Sequence, residues 1–149
     1  MSSNTLKILL ADDDEGDRLL FTDALKELKT KTIVHTVNDG VELMEYLANN
    51  NNNLPQLLFL DLNMPRKNGL ECLKEIRSNR KLAEIAIAIY STSLAEKDIE
   101  ETFINGANVY INKPNSFDGI KQALNTVVLN TNVYQSPPFN IANFLLRIN

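Results

Sequence analysis

Asp61 follows four consecutive apolar residues, Leu57-Leu58-Phe59-Leu60, and runs into Leu62-Asn63-Met64-Pro65. An apolar run this short, with turn signals around it, suits a strand buried on both faces. A carboxylate emerging from such a strand faces an open crevice or has a cation, because an unpaired buried charge is costly. Three other apolar runs also end in residues able to do chemistry. Leu6 to Ala11 leads to Asp12-Asp13-Asp14, Ile85 to Tyr90 leads to Ser91-Thr92-Ser93, and Val109 to Ile111 leads to Asn112-Lys113-Pro114. Carboxylates gathered at one place repel one another unless a cation sits among them. Oxygen ligands with open positions suit Mg²⁺, which keeps several waters. Such an ion takes oxygens from a phosphoryl group and neutralises its charge. Lys113 adds a mobile positive charge and Ser91 a hydroxyl donor. Carboxylates also act as covalent nucleophiles. The set reads as a phosphoryl-handling site, with Asp61 as the nucleophile.

The elements that must bring these residues together are legible from periodicity. Strands are expected at Leu6–Ala11, Thr32–Val37, Leu57–Leu60, Ile85–Tyr90 and Val109–Ile111. Between them the spacing turns helical. The first helix, Glu15 to Leu28, places Leu20, Phe21, Ala24, Leu25 and Leu28 on one face. The second, after Asn38-Asp39-Gly40, has Val41, Met44, Leu47 and Ala48 as its stripe. The third, after Pro65 and Gly69, turns Leu70, Leu73 and Ile76 inward with Cys72 on another face. The fourth, Ala95 to Asn105, buries Ile99 and Phe103 and is stopped by Gly106; the fifth, Phe117 to Leu129, buries Ile120, Leu124 and Val127. Alternating strands and helices call for an α/β fold, a doubly wound parallel sheet with right-handed crossovers. In the flavodoxin-like order 2-1-3-4-5, the strand order reverses between strands one and three, and ligands bind outside the carboxyl ends there. Those two strands are the ones that end in carboxylates.

Totals narrow the classes. The 149 residues suffice for one domain with a core. A net charge of −4, from 15 basic and 19 acidic residues, argues against direct nucleic-acid binding. One cysteine, Cys72, makes no internal disulfide, which favours a reducing compartment; with no membrane-length apolar run and no secretory layout, a cytoplasmic protein is expected. An EF-hand loop starting at Asp12 fails, because Gly16 offers no side-chain ligand and Asp17 stands where glycine is needed. Asp14, Glu15 and Asp17 read as acids solvating a helix start, and His35 as a packed or surface histidine. The five residues Asn49 to Asn53 read as a solvated loop. The domain is expected over residues 1–129. Beyond it, 130–149 is an extension with a connector at Tyr134 to Pro138 and an apolar stretch, Phe139 to Ile148, able to form a short helix. Its two readings are packing back on the domain and mediating a homodimer.

Asp12-Asp13, Asp61 with Met64-Pro65 and Gly69 behind it, Ser91-Thr92, and Lys113-Pro114 together resemble the receiver domain of two-component response regulators, as in chemotaxis receivers. The resemblance covers about Leu6 to Leu129. Tyr90-Ser91-Thr92-Ser93 and Lys113-Pro114-Asn115 resemble the stand-alone group that works with bacterial phytochromes and other sensor kinases. It implies a phosphorelay response regulator whose Asp61 accepts phosphoryl from a sensor histidine kinase. It further implies Mg²⁺ held by Asp12, Asp13, Asp61 and the backbone carbonyl of Asn63. Lys113 would pair with the phosphoryl oxygens, across a cis bond to Pro114. Ser91 and Tyr110 would act as a switch, and Ser93 and Asn63 flank the site where receivers tune phosphoryl lifetime. Output would pass to a protein target or a phosphotransfer protein. An aspartyl-nucleophile phosphatase is the alternative, weakened by Asn63 where a second acid is usual. A receiver-like binding module that is never phosphorylated is the other.

Overall fold

The computed structural model describes residues 5–132, 134, 138 and 140–146. The elements alternate as β1 (Leu6–Ala11), α1 (Glu15–Lys26), β2 (Thr32–Val37), α2 (Gly40–Asn49) and β3 (Leu57–Leu60). They continue as α3 (Gly69–Arg77), β4 (Ala86–Ser91), α4 (Glu96–Ile104), β5 (Val109–Asn112) and α5 (Phe117–Leu129). All four strand pairings are parallel and the order is β2-β1-β3-β4-β5. The flavodoxin-like arrangement expected from the sequence is the one observed.

Alternation along each strand divides the core in two. Leu9, Ala11, Leu58, Leu60, Ile87 and Ile89 pack on the side of α2 and α3 with Leu43, Leu47, Leu73 and Ile76. Ile8, Leu10, Phe59, Tyr90 and Ile111 pack on the side of α1 and α5 with Phe21, Leu25 and Leu124. The registers Ala11↔Leu60 and Leu60↔Ile89 bring the carboxyl ends of β1, β3 and β4 level. The residues that follow those strands therefore meet at one edge.

Several side chains depart from the sequence expectation. Cys72 is fully buried in the α3 face and donates its thiol to the Gly40 carbonyl at 3.6 Å, whereas Leu70 is only half-buried. The buried stripe of α2 runs through Leu43 and Leu47, and Ala48 is exposed. Leu20 is 44 % exposed, because α1 turns Phe21, Ala24 and Leu25 to the sheet. In each case the sheet and the neighbouring helix, which periodicity alone does not locate, decide which edge of a broad apolar stripe is covered. Gly106 closes α4 as expected, at a φ of +92° that a side chain rarely adopts.

Arg77, the last residue of α3, ties the far edge of the sheet together. Its guanidinium donates to the carbonyls of Gly106, Ala83 and Ile85 at 2.9, 3.0 and 2.9 Å, and to Asn108 Oδ1 at 2.8 Å. Asn108 Oδ1 in turn accepts from the Ile87 amide at 2.7 Å. Arg77→Leu leaves several of these acceptors unsatisfied and is expected to cost about 2–4 kcal/mol. Urea unfolding would register this as a lower midpoint at unchanged slope.

The segment after α5 returns to the sheet. A 3₁₀ turn, Ile141–Asn143, leads into Phe144, which is fully buried in contact with Phe103 and Tyr110, at ring distances of 5.5 and 5.9 Å. Leu145 bridges Tyr110 in parallel, with Tyr110 N–H donating to Phe144 O and Leu146 N–H donating to Tyr110 O, both at 2.9 Å. The expected short helix over Phe139 to Ile148 is thus a single turn followed by an extended bridge, and its remaining positions lie outside the described residues, as do Gln135 to Pro137.

Candidate phosphoryl site

Asp61 leaves the end of β3 as a buried carboxylate, 5 % exposed, and Asp12 leaves β1 with no exposure at all. Asp13 is exposed beside them. Carboxylate oxygens of Asp12, Asp13 and Asp61 all lie within 4.8 Å of one another. Lys113 reaches in from the end of β5, its ammonium 2.8 Å from Asp12 Oδ2 and 3.4 Å from Asp61 Oδ2. Its own amide donates to the Ser91 carbonyl at 2.8 Å, which fixes the backbone from which the side chain extends. Beneath the ammonium lies the Tyr90 ring, 5.5 Å to its centre, supported edge-on by Phe21 and Phe59.

Backbone geometry fixes the acids. Asp12 Oδ1 accepts from the Asp14 amide at 2.9 Å, and Asp61 Oδ1 from the Asn63 amide at 3.3 Å. The loop after Asp61 folds back so that the Gly69 amide donates to Leu62 O at 2.9 Å. A Cβ on Gly69 would collide with the Asp61 carbonyl, so the turn that frames Asp61 requires glycine there. Asn68 and Glu71 form a capping box that starts α3 directly after this turn.

Burial dominates the electrostatics. It pushes the Asp61 carboxyl up to about 6, with the Lys113 ammonium pulling the other way and Asp12 adding to the rise. Asp12 is raised for the same reason, against the hydrogen bond from Lys113. Lys113 is held above the usual lysine range, because the pull of Asp12, Asp17 and Asp61 outweighs its own burial.

The site tests well for a divalent cation. Asp12 Oδ2 is buried with the Lys113 ammonium 2.8 Å from it, and the carboxylate oxygen keeps lone-pair capacity for a further cation. An all-oxygen donor set of this kind suits a hard ion.

Ser91 is wholly buried at the end of β4, and its hydroxyl accepts from the Ser93 amide at 3.1 Å. Tyr110, on β5, donates its hydroxyl to the Ser93 carbonyl at 2.8 Å. A strand aromatic at this place reads from the sequence as half-buried; Tyr110 is fully covered, because Phe144 packs over it. A second correction concerns Pro114. No cis peptide bond occurs among the described residues, so Lys113–Pro114 is trans. The trans isomer is the lower in energy by about 0.5–1 kcal/mol. The lysine stem reaches Asp12 without the other isomer.

Two contributors went unread in the sequence. In the sequence Tyr90 reads as a strand end and part of a family motif, with no role beside Lys113, and Asp17 reads as an acid solvating a helix start. Asp17 Oδ2 instead lies 2.9 Å from Lys113 Nζ. The available signal was its position three residues after Asp14, in the first turn of a helix that starts at the site. His35 stands apart, exposed and stacked on Tyr46 at 4.4 Å.

A doubly wound parallel sheet with three carboxylates and a lysine together at its switch point is a site built to handle a phosphoryl group. The chain belongs to the response regulator receiver domain family, whose pattern matches residues 8–125. It is 35 % identical over 113 residues to the response regulator Rcp1 of Synechocystis, covering 71 % of this chain and 75 % of that one. Among solved structures it is similar to the phosphorylated cyanobacterial phytochrome response regulator RcpA, with a TM-score of 0.77 and 35 % identity over 83 % of this chain and 91 % of that one. The Mn²⁺-bound form of Rcp1 superposes with a TM-score of 0.74 at 28 % identity, over 82 % and 91 % of the two chains. Receiver domains partner with histidine kinases and with target proteins. Among the described residues no helix is long and apolar enough to cross a membrane.

Proposed function

We propose that Asp61 is the phosphoacceptor and that this chain relays a phosphoryl group from a sensor histidine kinase of the phytochrome type. The observation that carries the assignment is the Asp61 carboxylate itself: buried at the switch point, beside Asp12, with the Lys113 ammonium 3.4 Å away. In the transfer, an Asp61 carboxylate oxygen forms a bond to phosphorus. The phosphorus–nitrogen bond of the donor phosphohistidine breaks, and its electron pair and a proton end on the imidazole. Asp12, Asp13, Asp61 and the Asn63 backbone carbonyl would hold Mg²⁺, which when bound neutralises charge on the transferring phosphoryl group. Lys113 supplies the second cation at the phosphoryl oxygens.

Ser91 and Tyr110 would pass the change outward. Both meet at Ser93, whose amide is bound by Ser91 and whose carbonyl is bound by Tyr110. A new anion on Asp61 that draws the Ser91 hydroxyl toward it breaks the first of these contacts and biases a two-state element. The surface formed by α4, β5 and α5 then changes for a downstream protein. Leu20, exposed on α1 and lining the same hollow as Asp17 and Lys113, gives the kinase an apolar place to dock.

Acetyl phosphate with Mg²⁺ should add one phosphoryl group to the intact mass. Absence of any adduct would support instead a binding module that is never phosphorylated. Beryllofluoride with Mg²⁺ should shift amide resonances of Ser93, α4 and β5; unchanged resonances there would remove the switch from this reading.

A further inference from the structure

Lys113 has three N–H donors and three carboxylates around it. Its two short contacts, 2.8 and 2.9 Å, go to Asp12 and Asp17, while Asp61 lies farther off at 3.4 Å. The lysine is therefore held by its neighbours more closely than by the residue that takes the phosphoryl group. Asp17 is built into this position. Asp14 caps α1 by accepting the Asp17 amide at 2.9 Å. Arg18 anchors the same turn by donating to the Asp12 carbonyl at 2.8 Å. Asp17 lies outside the cluster of acids whose oxygens converge for a cation.

We propose that Asp17 is a positioning residue for Lys113, which holds the ammonium back from Asp61 and thereby limits the rate of phosphoryl acceptance. This rests on the reading of Asp61 as phosphoacceptor. An incoming phosphoryl group must win the ammonium from a carboxylate, and Asp17 also adds a negative charge to the approach of an anionic donor. Both effects act in one direction. Removing the charge frees the lysine.

The test is a mutant cycle on the full chain. Asp17→Asn should accept phosphoryl from acetyl phosphate with Mg²⁺ roughly 3- to 10-fold faster than wild type, as expected for one partly screened charge. Asp17→Glu should return toward the wild-type rate. Glu15→Gln, an exposed acid in the same helical turn, should change little. In a Lys113→Met background the Asp17→Asn gain should shrink to the smaller part that comes from the charge itself, because coupled residues are non-additive. A second readout does not need phosphorylation: acylation of Lys113 by an amine-reactive ester, mapped by mass spectrometry, should rise several-fold in Asp17→Asn. An unchanged or lower phosphorylation rate in Asp17→Asn, or an equal gain with and without Lys113, would overturn the proposal. If wild type takes no phosphoryl group but Lys113 labelling still rises, the hold on the lysine stands and the phosphoacceptor reading falls. Unchanged labelling removes the hold itself.

Discussion

Asp61→Asn is expected to abolish the phosphoryl adduct, leaving the intact mass unchanged after acetyl phosphate and Mg²⁺ under conditions that modify the wild type. The variant keeps the shape and one acceptor oxygen but loses the nucleophilic charge. Covalent attack by an amide oxygen would form no stable acyl phosphate, so the loss should be total within detection. Folding should survive, since the Asp61 side chain accepts a weak bond from Asn63 at 3.3 Å and faces Lys113 at 3.4 Å rather than filling the apolar core. An adduct retained at wild-type level would move the acceptor to another residue. Asp13, exposed at the same edge, is the first alternative to map.

The second large effect concerns stability without metal. The Asp61 carboxyl is raised to about 6 in the fold from 3.8, so between those values the folded state binds more protons than the unfolded chain. Stability must then fall as pH rises through this window, the reverse of a salt-bridged aspartate. A shift of roughly two pK units corresponds to about 3 kcal/mol. Asp12, also raised by burial, adds in the same direction. Lys113, whose folded pKa is raised, contributes stability throughout this range and loses it only at alkaline pH. In a chelator, the melting temperature should therefore drop between pH 4 and 7, and Asp61→Asn should flatten most of that slope. Adding Mg²⁺ at neutral pH to about 100 times its dissociation constant should return about 2.7 kcal/mol. A flat profile for the wild type in chelator would contradict the electrostatic account.

Much of this site could be read without coordinates because strand ends carry it. Leu57 to Leu60 leaves no reasonable place for Asp61 except the end of a doubly covered strand, and parallel topology then brings Asp12, Ser91 and Lys113 to the same edge. The same logic fails for Asp17. Helical periodicity says which residues share a face, but not where the first turn points relative to β5, three places from β1 in the sheet. Cys72, buried, and Ala48, exposed, reverse the periodicity reading for a related reason: an apolar stripe wider than the covered sector does not reveal which margin is buried. The trans Lys113–Pro114 bond departs from what family resemblance implies. The burial of Tyr110 depended on a tail whose docking no local pattern encodes.

That tail has a further consequence. β5 is the last strand of the sheet, and at Tyr110 both of its outward backbone groups are already taken by Phe144 and Leu146. Edges left open invite another chain to pair with them. A protein that recognises this receiver by adding a strand to β5 must first displace a competitor that is covalently attached and never dilutes. A tail docked 99 % of the time would weaken such a partner by about 100-fold, whereas a partner that grips only the outer surfaces of the helices would feel nothing. Partners that add a strand at this point of β5 are thereby disfavoured.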